Sequence, residues 1–148
     1  MGLSIYDDGK LVYWDLFQFT DFLLVDRIRN IQRLLEEVVI PIWKPDFIVY
    51  EDIQEQGGFT GMKTYKILAE LLGICEVTAK RFNVQYECLP PVVWRKELGV
   101  VSGGRAKEKI WAVKKVKELT GLDIQEDTAE AILIGYAETL RHKSKTAF

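Results

Sequence analysis

Phe47-Ile48-Val49-Tyr50-Glu51 is an apolar run that closes on a carboxylate. Its β-branched and aromatic residues lie between Pro45-Asp46 and the glycine-rich stretch Gln56-Gly57-Gly58-Phe59-Thr60-Gly61, a pattern that reads as a short, buried-type strand. A carboxylate at the end of such a strand needs a partner, because an isolated charge is costly to take out of water. A loop directly after it is well placed to touch a substrate.

Working outward, Leu3 to Tyr6 and Lys10 to Phe17 flank Asp8-Gly9, which predicts an antiparallel hairpin with a two-residue turn. That turn would bring Asp15 opposite Gly2. Thr20 or Asp21 is placed to cap a helix whose apolar positions Phe22, Val25, Ile28, Ile31, Leu34, Leu35 and Val38 share one face, and Pro41 and Pro45 end it. Downstream, residues 63–82 carry a second amphipathic helix and Val84 to Leu89 another strand, so a crossover onto a parallel neighbour is expected. After Pro90-Pro91 come a short helix (Val92 to Leu98), a Gly/Ser loop (Gly99 to Gly104), a lysine-rich helix (Arg105 to Leu119) and an acidic helix from about Asp127 to Leu140. The order is that of an α/β protein, and neither a repeat nor a linker interrupts it.

Composition sets outer bounds. The 148 residues are 48% hydrophobic and 28% charged, which suits one compact domain spanning 1–148. A net charge of -2 and a pI near 5.5 leave any polyanion-binding surface to a local patch. Lys107, Lys109, Lys114, Lys115 and Lys117 form one such patch, with Arg95 and Lys96 before it and Arg141, His142, Lys143 and Lys145 after it. Phosphate contacts of this kind give affinity without reading sequence, although most lysine-rich helices are simply solvated. Cys75 and Cys88 have neither metal-ligand nor paired spacing and read as buried, reduced thiols. No segment approaches the ~20 apolar residues of a membrane span, and no basic region precedes an apolar one at the N-terminus, so the cytoplasm is expected.

Asp127 and Glu130, three apart, project from one helical face and can lean together. With an acid at a strand end, that is how two-metal phosphodiester hydrolysis collects hard oxygen ligands for a pair of ions about 4 Å apart. Taken alone, acids in a first helical turn complement the helix dipole, and Asp127-Thr128-Ala129-Glu130 also reads as a capping box.

Four stretches in order resemble the RuvC-type Holliday junction resolvases of the RNase H-like superfamily. They are Gly2-Leu3-Ser4-Ile5-Tyr6, Ile48-Val49-Tyr50-Glu51, Gly104-Arg105-Ala106-Lys107-Glu108-Lys109 and Asp127-Thr128-Ala129-Glu130-Ala131. The resemblance implies an RNase H-like mixed sheet flanked by helices and Mg²⁺-dependent (or Mn²⁺-dependent) nicking of four-way junctions or other branched DNA, in recombination, repair or phage DNA processing. It implies Glu51, Asp127 and Glu130 as metal ligands, and Arg105 with Lys107 or Lys109 as phosphate contacts. Phe59 would stack on an unpaired base. Two symmetric cuts imply a homodimer, and the small size fits a phage-type member.

The chain departs from that pattern in three places. The last acid is commonly Asp in the family, and the lysine after Gly-Arg-Ala is displaced by one residue either way. More seriously, the family's first strand and first catalytic Asp precede Gly2 and are absent here. Asp7 and Asp8 lie roughly 17 Å along the strand from Gly2, at the wrong end; Asp15 is the better substitute. A start codon placed inside the gene is the simpler expectation, tested by reading the in-frame codons upstream. Two further classes stay open: a noncatalytic branched-DNA-binding module that lost the first acid, and an RNase H-like nuclease acting on RNA.

Overall fold

Asp8 and Gly9 both take positive φ, 46° and 74°, the left-handed pair that a two-residue hairpin turn requires. The computed structural model describes residues 1–21, 23–53, 59–100 and 103–145, and accordingly opens with strands β1 (Gly2–Asp7) and β2 (Lys10–Leu16) around that turn. Asp7 pairs with Lys10 and Tyr6 with Leu11, but Ile5 then pairs with Tyr13, so the register slips and Val12 becomes the extra residue of a bulge. One residue of slip turns every later side chain over. Asp15 therefore faces Leu3, with Leu16 opposite Gly2, which corrects the register expected from the turn alone.

The chain divides into two compact units, Met1–Gln18 with Leu89–Phe148, and Phe19–Cys88. In the first, the hairpin lies on the long helix α6 (Glu126–Lys145). Ser4 Oγ donates to the Ala131 carbonyl and Tyr6 Oη to the Ile132 carbonyl, each at 2.8 Å. Glycines allow this approach: a Cβ on Gly2 would collide with the Asp127 carbonyl, and one on Gly135 would lie 2.6 Å from the Tyr6 ring. Burial holds the Tyr6 phenol well above its ordinary range, so it stays a donor. Helices α4 (Pro91–Glu97) and α5 (Arg105–Thr120) pack on α6, and Trp94, Ala112, Val116, Ala129, Ile132, Leu133 and Ala137 form the core. Gly104 and Gly121, both at positive φ, flank α5.

The second unit begins with α1 (Leu24–Arg33), which enters from an extended Leu23 with no side-chain cap. Asp21 instead accepts a hydrogen bond from Asn30 Nδ2 at 2.9 Å, so neither Thr20 nor Asp21 caps the helix. Nor does Pro41 end it. A π-helical stretch, Leu34–Val39, leads straight into α2 (Ile40–Trp43), where Pro41 sits in the first turn. A proline ring strikes the carbonyl four residues back in a regular α-turn. Here the Ile40 amide reaches back five residues to the Leu35 carbonyl, and the wider turn makes room. Lys44, left-handed at φ 45°, and Pro45 stop the helix.

Strand β3 (Phe47–Glu51), helix α3 (Phe59–Arg81) and strand β4 (Gln85–Leu89) complete this unit. Tyr50 meets Tyr86, with ring centroids 6.2 Å apart, and Asp52 meets Cys88. The contacts advance together along both strands, so β3 and β4 run parallel, as the crossover requires. Tyr50 Oη donates to the Cys75 carbonyl on α3 at 2.9 Å. Phe59, expected in a loop, is the first residue of α3; its side chain lies outside the described residues. The class is α/β with helices around small sheets, as expected; among the described residues β1 pairs with β2 and β3 with β4. No described helix is long and apolar enough to cross a membrane.

Candidate functional site

The first turns of α6 carry Glu126, Asp127 and Glu130 over the end of β1 where Gly2 admits the helix backbone. Asp127 is open, with 63% of its side chain exposed, whereas Glu130 is largely covered at 21%. Each acid faces a cation. Lys109 of α5 bonds Glu126 Oε2 at 2.7 Å and lies 4.0 Å from Asp127 Oδ1. Arg95 of α4 lies over the buried ring of Trp94, 5.1 Å from its centroid, and reaches Glu108 Oε2 at 2.9 Å and Glu130 Oε1 at 3.7 Å. The close partner of each cation is thus Glu108 or Glu126, and the more distant one is an acid singled out from the sequence. The Glu126 hydrogen bond, helped by Asp127 and Glu130, raises the Lys109 ammonium above its usual range. Helix α6 starts at Glu126 and the Ala129 amide bonds the Gln125 carbonyl, so Asp127 lies inside the first turn and not at the capping position.

Glu51 ends β3 in the other unit, half-buried. Side chains alternate along a strand, so Glu51 lies on the face away from Tyr50 and Asp52. On the Tyr50 face, burial pushes both thiols up to about 11, with Glu76 adding to the effect at Cys75 and Asp52 at Cys88. Both cysteines are free and half-buried instead of fully buried. An open cavity of about 480 Å³ lies at the start of both strands, between Lys44–Asp46 and Asn83–Gln85. None of the candidate metal- or DNA-binding residues lines it.

The structure brings Asp127, Glu130 and Lys109 together and places Glu51 in the other unit. Arg105 and Lys107 are exposed at the start of α5, with no ion-pair partner among the described residues. Asp15 is tied up by Tyr13 Oη at 2.9 Å and the Leu16 amide at 2.7 Å, on the sheet face away from α6. Much of the expected basic patch is neutralised internally. Lys117 pairs with Asp123, Lys115 with Glu118, and Arg141 with the buried Glu138, whose other oxygen lies 3.0 Å from His142 Nε2. Sequence reasoning missed Glu108 and Glu126 as holders of Arg95 and Lys109. The partners lie 13 and 17 positions apart, on different helices, and no local spacing rule reaches that far.

Two oxygen donors a helical turn apart suit a hard divalent cation. A full centre needs more. Among the described residues no three His, Cys, Asp or Glu side chains converge to hold a metal, and Arg95 and Lys109 already balance the α6 acids. The described residues as placed do not form a complete metal centre.

No protein-family model and no curated protein matches this chain. Solved structures do. Thermus thermophilus RuvC superposes with a TM-score of 0.67 at 17% identity, covering 93% of this chain and 81% of that one. T. thermophilus RuvC in complex with a Holliday junction substrate gives 0.68 at 16%, covering 91% and 81%. At such identity the likeness is one of fold.

Proposed function

We propose that this chain is a RuvC-type, structure-selective endonuclease that nicks branched DNA such as four-way junctions and depends on Mg²⁺ or Mn²⁺. The likeness of fold over 93% of the chain carries the reading, since one of the similar structures is bound to a Holliday junction. In this reading Glu51, Asp127 and Glu130 are the metal-binding acids, and Arg105, Lys107 and Lys109 hold phosphate. Phe59 stacks on a base at the junction. Symmetric cutting calls for a homodimer. Fold analogy alone does not assign chemistry, and a second reading has an observation of its own. The counter-cations on Asp127 and Glu130 favour a noncatalytic branched-DNA-binding module.

Cleavage of a labelled four-way junction, beside linear duplex and an RNA–DNA hybrid, with Mg²⁺ and with chelator, separates the two. Paired nicks that need Mg²⁺ are expected. Tight junction binding without any cut selects the binding module, and cleavage confined to the hybrid moves the substrate to RNA.

A further inference from the structure

We propose that Glu126 gates Lys109 between a carboxylate of its own chain and a nucleic-acid phosphate. The inference rests on the DNA-binding reading above and adds to it a residue that no sequence motif marks. Arg105 and Lys109 stand four apart on α5, so a phosphate held by one lies within reach of the other. Arg105 is exposed and has no ion-pair partner among the described residues. Lys109 is engaged, 2.7 Å from Glu126 and 4.0 Å from Asp127.

That engagement is readily exchanged. The Glu126 side chain is 50% exposed and that of Lys109 24%, so a phosphate can approach without any part of the unit unfolding. Solvent-exposed ion pairs contribute little net free energy, and a polyanion competes with them effectively. Glu126 is also the tightest hold on Lys109: Asp127 stands over an ångström farther off, and Glu130 acts only at longer range. Removing the Glu126 charge takes away the competitor at the shortest distance.

The test is DNA affinity in chelator, for a four-way junction and a linear duplex, across a salt series. Forms compared are the full chain, Glu126→Gln, Lys109→Met and the double variant. Glu126→Gln should bind both DNAs about two- to fivefold tighter. Its plot of log affinity against log salt should steepen by about 0.9, the mark of one added phosphate contact. In the Lys109→Met background the same substitution should change neither quantity. Unchanged affinity in Glu126→Gln overturns the proposal, and so does an equal gain with Lys109 absent, which would reflect net charge alone. A wild-type chain that binds duplex as well as junction sinks the branched-DNA reading and leaves the gate standing. Absence of DNA binding in every form overturns both.

Discussion

Two regions of the molecule handle polar groups in opposite ways. Against the β3–β4 sheet, Tyr50, Cys75 and Cys88 are kept neutral: burial and the neighbouring Glu76 and Asp52 carboxylates push their proton affinities up. Around the start of α6, charge is retained and matched, with Lys109 on Glu126 and Asp127 and Arg95 on Glu108 and Glu130. A neutral interior is inert packing, whereas a paired charge can trade its partner for a ligand. Exchange of partners is therefore expected around the start of α6.

The largest effect expected is from Trp94→Ala. This side chain is fully buried and carries the Arg95 guanidinium, and its loss should cost about 3–5 kcal/mol. Hydrogen exchange should show protection failing in α5 and α6 before α3 and β3; a uniform loss would break the contrast between the two regions. Next comes the pair Asp127→Asn with Glu130→Gln. On the nuclease reading, Mg²⁺-dependent junction cleavage should fall at least about a hundredfold, while junction affinity in chelator holds at or above the wild-type value. Lost binding with unaltered residual cutting would place the chemistry elsewhere.

The thiols test the neutral side. With Cys75 and Cys88 pushed from 9.0 to about 11, labelling at pH 8 should run about a hundredfold slower in the native chain than in urea. The sign for stability comes from proton uptake. Between pH 9 and 11 the unfolded chain has released these protons and the folded chain has not. Their contribution is thus whole below about pH 9 and is lost as pH climbs to about 11. A melting temperature that stays flat across that window would put the thiols outside the packed face. The smallest effect is Tyr50→Phe, which removes the 2.9 Å bond to the Cys75 carbonyl and should cost about 1 kcal/mol in urea unfolding.

Much of this architecture is legible one segment at a time. Asp8-Gly9 specifies its turn, the apolar run before Glu51 its strand, and the spacing of Asp127 and Glu130 their common helix face. Each depends on residues within a turn or two of one another. The features that escape local reading depend on distant partners or on backbone irregularity. The π-helical stretch before Pro41 is a geometric response to a ring clash, which apolar spacing cannot distinguish from an ordinary helix end. The bond from Asn30 that takes Asp21 out of service crosses a turn whose shape is not encoded in either residue. The clasp of Arg95 joins three helices that meet only in the folded chain.

The bulge at Val12 makes the hairpin unequal in its tolerance of codon loss. Leu11, Trp14 and Leu16 share the α6 face only because Val12 is passed over, since spacings of three and then two do not fit a regular strand. Deleting Val12 would straighten β2 and leave Tyr13 opposite Ile5 and Asp15 opposite Leu3. Deleting Tyr13 would keep the same register with Val12 opposite Ile5, whereas deleting Trp14 or Asp15 would turn Tyr13 onto the α6 face opposite Ser4. In a library of single-codon deletions across this strand, positions 12 and 13 are where folded clones should concentrate.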